Sequence, residues 1–370
     1  MLLKLLKIDI KESIVVNYFT EHCLPHKQKY SVRKIAVTAF FLGLIASSCS
    51  QQTATNVLAN SDSSSTTLTT KTTEKNNVIR LGYQKGGIIP IARQRGELER
   101  QLSTQNIKVE WSGPFDRCAT LLNSLNGNRA DIGGCGDIPS ISGIAAGQPL
   151  CIGSVQRPVP DSLGSAILVR GDSAIRKPAD LIGKKVAVNQ GGAGEYLLLK
   201  VLEKENIPSY KVQRVYLSPN DAAPALYQGS VDAWAVWEPY ISIAQLEHQA
   251  RRITTTHPAP TYGILVVRSD AAKDNPVAVK AALTGLSQDG EWLNQHTDAA
   301  SDFLVKQLKI SDAVAKQVTK NRGPESYVFP NTQDVTNLQK TADWLLEQKI
   351  IPQRIDIATA VCPLETTTAR

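Results

Sequence analysis

"VIRLGYQKGGIIP" (78–90) sets an apolar run, a polar pair, two glycines and a second apolar run ending in proline side by side. The first run reads as a strand and the stretch that follows, to about 102, as a helix. Gln84 and Lys85 then stand at the carboxyl end of the strand. Gly86 and Gly87 let a ligand approach main-chain N–H groups, and Pro90 is tolerated where a first-turn N–H has no intrahelical partner. The stretch lacks both G-x-x-x-x-G-K-[ST] and G-x-G-x-x-G, so it is neither a nucleotide phosphate loop nor a dinucleotide fingerprint. It reads as one jaw of a grip for a small anion; the plainer alternative is a tight turn with a solvated lysine.

The same grammar recurs. "GGCGDIPSISG" (133–143) runs from a strand end through Gly136, Asp137 and Ile138 to a helix with Pro139 near its start, and "NQGGAGEY" (189–196) does so through Gly191, Gly192 and Ala193. Between these turns strand and helix signals alternate, which predicts a mostly parallel sheet with helices on both faces. The rhythm restarts at "KKVAVN" (184–189), and from about 276 to 348 the pattern is largely helical. The reading is α/β, in two lobes with a ligand cleft between them. Lobe 1 takes 78–170 and 263–355 and lobe 2 takes 171–262, with "SAILVR" (165–170) and "YGILVVR" (262–268) as crossovers. Ligands bind at the carboxyl ends of strands in such sheets, so three helix N-termini with their unpaired N–H donors converge on the cleft.

"VDAWAVWEPY" (231–240) places Trp237 where it walls a ligand's apolar tail, with Glu238 and Tyr240 as polar candidates and Trp234 in the core. Core aromatics beside a helix-start proline are the alternative. Arg117, in "GPFDRCATLL" (113–122), offers a bidentate anion ligand or else a surface ion pair with Asp116. "GDS" (171–173) has no suitably placed D-x-x-H partner and G-x-S-x-G is absent, so the sequence predicts no catalytic residue, no cofactor and no enzyme. The three histidines after the leader are scattered, and no spacing suggests a metal site.

The ends of the 370-residue chain carry their own message. Net charge is +7, but residues 1–34 hold seven Lys/Arg against three Asp/Glu, or +4, which leaves +3 beyond them. No basic stripe with interleaved aromatics remains, which sets nucleic acid aside. "KQKYSVRK" (27–34) and "IAVTAFFLGLIASS" (35–48) form a basic and then an apolar segment of a signal peptide, closed by Cys49. Residues 1–49 are read as that signal with an over-extended N-terminus. Cys49 is the lipid-attachment candidate of a bacterial lipoprotein; ordinary cleavage beside an incidental cysteine is the alternative. Residues 50–77, rich in Ser, Thr, Asn and Gln, are a disordered tether, and 356–370 a C-terminal tail. Cys118, Cys135, Cys151 and Cys362 would then meet an oxidising compartment, either as disulfides such as Cys118–Cys135 or as buried thiols.

Taken in order, "IRLGYQKG", "DIGGCGDIPSISGIAAG", "DLIGKKVAV", "YLLLKVLEK", "LSPNDAAPALYQGSVDAWAVWEPY" and "IIPQRIDI" resemble the periplasmic aliphatic-sulfonate-binding proteins of ABC importers, within the sulfonate/nitrate/taurine group. The resemblance spans about 78–357. It implies a type II-like periplasmic-binding-protein fold and a monomer that closes on a sulfonate and presents it to a membrane permease and its ATPase. It maps the site onto Gln84, Lys85 and Gly86, onto Gly136, Asp137 and Ile138, onto the 190–195 turn, and onto Trp237 and its neighbours. Two departures stand out: "GPFDRCATLL" has Asp116-Arg117-Cys118 where the family commonly has a small, Gly/Pro-containing stretch, so that Arg117 offers compensation for hydroxyls lost at the other, the lobe-2 turn. "GGAGEY" lacks the hydroxyls common at this turn and adds Glu195, which opposes a bare sulfonate unless it points away or meets an amine. Taurine, an aromatic sulfonate, nitrate or a ligand-sensing role are the other functions the pattern allows.

Overall fold

The computed structural model describes residues 77–159, 162–254 and 261–364. The signal segment, Cys49, the tether up to residue 76 and the last six residues lie outside them.

The opening stretch folds as read. β1 (Val78–Gln84) ends at the glycine pair and α1 (Ile88–Arg95) begins directly after it, followed by α2 (Glu97–Ser103). β2 (Lys108–Phe115), α3 (Cys118–Asn126), β3 (Ile132–Gly136), α4 (Asp137–Ala145) and β4 (Leu150–Gln156) complete the first run. Why α3 lies so close to the sheet is visible at Leu121. A Cβ on Gly82 would sit 2.5 Å from its Cδ1, and one on Gly133 2.9 Å from the same atom, so only glycines let the helix settle there.

The chain then moves to a second sheet. β5 (Ser165–Val169), β6 (Lys185–Val188), α5 (Ala193–Lys204), β7 (Gln213–Tyr216), α6 (Pro219–Tyr227), β8 (Ala233–Trp237), α7 (Tyr240–His248) and the short β9 (Arg251–Arg252) build it. It returns with β10 (Gly263–Arg268), α8 (Ser269–Asp274), α9 (Pro276–Gln295), α10 (Thr297–Leu308), α11 (Asp312–Arg322), β11 (Tyr327–Val328), α12 (Thr332–Glu347) and α13 (Ile357–Ala360).

The first sheet has the order β2-β1-β3-β10-β4-β11 and the second β7-β6-β8-β5-β9. In each, three neighbouring strands pair in parallel, and one inner strand is antiparallel to both its neighbours: β10 beside β3 and β4, β5 beside β8 and β9. β5 corrects the sequence reading, which placed residues 165–170 in the first lobe. Ala166 pairs with Val236 and Leu168 with Trp234. The chain therefore crosses between residues 156 and 165, and again between 252 and 263.

Helices cover both faces of each sheet, as buried strands require. Leu98, Val279 and Leu283 pack on one face of the first sheet, and Leu121, Ile138, Leu338 and Leu345 on the other. Leu198 and Leu202 cover one face of the second sheet, Leu226 and Ile241 the other. The lobes also touch. α11 of the returning segment packs on α7, with Val314 and Val318 in a cluster that reaches Ile243. Elsewhere Tyr196 meets Trp344 edge-on, ring centroids 5.0 Å apart, and Trp344 Nε1 donates to Glu203 at 3.1 Å. Residues 356–364 are not a loose tail: Cys362 N–H donates to the Ile152 carbonyl at 3.0 Å, and Cys362 is bonded to Cys151.

Candidate ligand-binding site

The strand ends of the two sheets meet around a cavity of about 330 Å³, a size that suits a small ligand. Gln84, Lys85, Gly86, Gly136, Asp137, Ala193, Trp237 and Glu238 line it, as do Asp116, Asn189, Arg157, Tyr262, Arg322 and Glu325. Arg117, Gly191 and Gly192 do not.

The jaw around 84–88 spends one donor on the fold and leaves others free. Gln84 Nε2 donates to the Gly134 carbonyl at 2.8 Å and so ties β1 to β3. Lys85 is exposed, and its ammonium has no partner among the described residues. Gly87 has φ 92°, which suits glycine, and no side chain caps α1. The N–H groups of Gly86 and Gly87 find no acceptor among the described residues, the condition in which a helix start receives an anion.

The second turn differs from expectation. Asp137 N–H donates to the Tyr262 carbonyl at 2.9 Å, Ile138 N–H donates to Asp137 Oδ1 at 2.8 Å, and Pro139 has no N–H. Tyr262 N–H completes the set by donating to Asp137 Oδ2 at 2.9 Å. The N-terminus of α4 is thus spent on its own aspartate, which latches it to the residue preceding β10. Burial pushes the Asp137 carboxyl up to about 7, against the pull of these N–H groups.

At the third turn Glu195 resolves the tension its charge created. Its carboxylate accepts from Gly191 N–H at 2.8 Å, Arg214 Nη1 at 2.7 Å and Tyr216 Oη at 2.8 Å. It is neutralised inside the protein, and the Gly191 donor goes to it and not to a ligand. Gly192 N–H closes a turn on the Asn189 carbonyl and Gly194 N–H donates to Asn189 Oδ1. That leaves Ala193 N–H, at the first position of α5, as the donor facing the cavity.

Trp237, at the end of β8, lines the cavity with Tyr240 edge-on to it, while Trp234 is buried. The Glu238 carboxylate is buried and committed within the protein. It accepts from Ser242 N–H at 3.1 Å, Ser242 Oγ at 2.8 Å and Asn321 Nδ2 at 2.5 Å, a network that joins the second lobe to α11. Arg117 pairs with Asp116 at 2.9 Å, the plainer of the two readings of that residue. Cys118 and Cys135, both on the cavity wall, are bonded to each other.

The sequence reading missed Arg322, the last residue of α11. Its Nη2 donates to the Glu238 carbonyl at 3.1 Å, and its guanidinium covers Gly86 so closely that a Cβ there would lie 2.4 Å from Nη2. It missed Arg157 as well, held bidentate by Asp334 at 2.9 Å through both contacts. The one local signal for Arg322 is a basic residue closing a helix before Gly323-Pro324. Among the described residues no cluster of three or more His, Cys, Asp or Glu could hold a metal, and no helix is long and apolar enough to cross a membrane.

The chain has relatives among known proteins. A protein of Escherichia coli (strain K12) whose given name is that of an aliphatic sulfonates-binding protein is 31% identical over 281 residues, 75% of this chain and 86% of its own. The alkanesulfonate-binding protein SsuA from Xanthomonas axonopodis pv. citri, solved bound to MOPS, superposes with a TM-score of 0.71 at 31% identity, covering 77% of this chain and 98% of that one. The periplasmic aliphatic sulphonate binding protein SsuA from Escherichia coli gives 0.66 at 29% identity, with 77% and 92% covered. Both solved structures share the two-lobed α/β architecture described above. The family model described as NMT1/THI5 like matches residues 104–300. With two independent lines of likeness covering most of the folded body, the chain belongs to the NMT1/THI5-like family.

Proposed function

We propose that this protein is the substrate-binding component of an ABC importer, capturing aliphatic sulfonates by lobe closure and delivering them to a membrane permease whose ATPase supplies the energy. The observation that carries the reading is the pairing of Lys85 and Arg322 with uncommitted N–H groups of Gly86, Gly87 and Ala193 around one cavity. A sulfonate has three oxygens and one charge spread over them, and such a site meets it with donors from both lobes. Only the closed form uses both sets, so ligand shifts the open–closed equilibrium.

Gln84, Gly136, Asp137 and Glu238 set the walls in this reading, and Trp237 and Tyr240 flank the apolar part of the ligand. Neither Gly191 nor Gly192 touches the ligand directly; they shape the turn that presents Ala193. Among the described residues no histidine lines the cavity, and Cys118 and Cys135 on its wall are bonded to each other, which favours binding without chemistry. The basic and apolar pattern of residues 27–48 and Cys49 support a location outside the cytoplasmic membrane, lipid-anchored in the periplasm, and the reading takes the protein as a monomer.

Thermal unfolding of the purified protein against alkanesulfonates, taurine, aromatic sulfonates, sulfate and nitrate tests the assignment, because a ligand that binds only the native state must stabilise it. A selective rise with alkanesulfonates supports it. A rise with nitrate or sulfate alone, or silence across a panel that stabilises a known sulfonate binder, overturns it. Release of the protein from membranes on Cys49→Ala checks the anchor.

A further inference from the structure

Most charged groups on the cavity wall are matched within the protein. Arg157 is held by Asp334, Asp116 by Arg117 and Thr120, Asp137 by main-chain N–H groups, and Glu238 by Ser242 and Asn321. Among the described acids on that wall, Glu325 alone is unmatched. It is 7% exposed, and no hydrogen bond or ion pair reaches its carboxylate among the described residues; Oε2 is fully buried without a donor. Its main chain is fixed, with its N–H donating to Asn294 Oδ1 at 2.7 Å and its carbonyl accepting from Asn294 Nδ2 at 2.8 Å. It borders the ligand cavity and also a second cavity of about 490 Å³ among α1, α9, α10 and α11.

A buried carboxylate without a donor is destabilising. Burial raises its pKa although Arg322 nearby lowers it. The groups left unsatisfied at the cavity are then the Lys85 ammonium, the Arg322 guanidinium with its single carbonyl partner, and the Glu325 carboxylate. A plain alkanesulfonate matches the two cations and leaves the acid alone. A sulfonate that also carries an ammonium group matches all three.

Building on the sulfonate reading above, we propose that Glu325 is a specificity-determining residue that receives the ammonium of an aminoalkanesulfonate whose sulfonate is held by Lys85 and Arg322. Isothermal titration with ethanesulfonate and 2-aminoethanesulfonate, on the wild type and on Glu325→Gln, tests it. The wild type is expected to prefer the amino compound by about tenfold or more, the scale of a charge-assisted contact in a desolvated site. In Glu325→Gln the preference should fall to within about twofold while ethanesulfonate still binds, which also shows that the variant is folded. Equal wild-type affinities would overturn the inference and leave the sulfonate assignment standing. Failure of the wild type to bind any sulfonate would overturn both. If Glu325→Gln binds neither compound, Glu325→Asp decides: a retained amino preference supports the assignment, and loss of all binding makes Glu325 structural and overturns it.

Discussion

Arg322 lies directly over Gly86: the last side chain of α11 fills the space a side chain at the first jaw would need. One residue supplies the charge of the site and the other the room for it.

Gly86→Ala should therefore displace the guanidinium without disturbing the core. The contact is with the far end of a flexible side chain, so stability should change by less than about 1 kcal/mol. Ligand affinity should fall by about tenfold, the loss of one charge-assisted contact. Titration calorimetry beside urea unfolding separates the two; a large stability loss with affinity intact would contradict the arrangement.

Glu195 holds the lobe-2 turn through Gly191, Arg214 and Tyr216. Glu195→Ala would leave Arg214 without its carboxylate and release the Gly191 N–H, at a cost of roughly 1–3 kcal/mol. Ligand affinity should fall with it, because the turn presents Ala193. A Glu195→Ala variant that binds more tightly would revive the idea that this charge repels the ligand.

Trp344 bridges the lobes, packing on Tyr196, donating to Glu203 and receiving the Lys200 ammonium 4.3 Å from its ring. Trp344→Ala should shift the equilibrium towards the open form. Small-angle scattering without ligand should show a larger radius of gyration, and affinity should drop by about five- to tenfold, as expected from losing one aromatic pair and its neighbours. Unchanged scattering and affinity would remove Trp344 from the closure.

Asp137 gives the protein a pH signature. Its folded pKa, about 7, is raised above the ordinary 3.8. Its contribution is therefore fully present below about 4 and is lost as pH rises through about 7, on the order of 4 kcal/mol across the window. Asp137→Asn, which cannot ionise, should lack this slope. Urea unfolding at pH 4.5 and 8 without ligand reads it as the difference between the two proteins, and parallel pH profiles would count against the buried charge.

The Cys151–Cys362 bond joins residues 211 apart. Cys362→Ser should lower stability by roughly 2–5 kcal/mol, since a cross-link over so long a loop restricts the unfolded chain most. It should also free residues 356–364, which faster amide exchange there would reveal. No change in either would show the segment held by its other contacts alone.

What the sequence disclosed was local. Strand, glycine pair and helix start are neighbours in the chain, so the turns at 84–88, 136–139 and 189–195 could be read from order alone. The disposition of their donors could not, because the competing partners are distant: Glu195 meets Arg214 and Tyr216 from β7, and Asp137 meets Tyr262 across 125 residues. "SAILV" is equally apolar in either sheet, and only its pairing with β8 assigns it to the second. Arg322 and Glu325 belong to a helical stretch with no strand-end grammar around them. The most informative acids and bases of the cavity were therefore the least visible.

The position of β10 has a consequence for how the molecule is made. It sits in the interior of the first sheet, between β3 and β4, yet follows the whole second lobe in the chain. Until residue 268 has been synthesised, β3 and β4 have no strand to share, and the first sheet remains open along its middle. The second sheet, whose strands run consecutively from 165 to 252, is contiguous and is expected to form first. Such an order delays the completion of the first lobe until late in synthesis, when the strand at its centre finally becomes available.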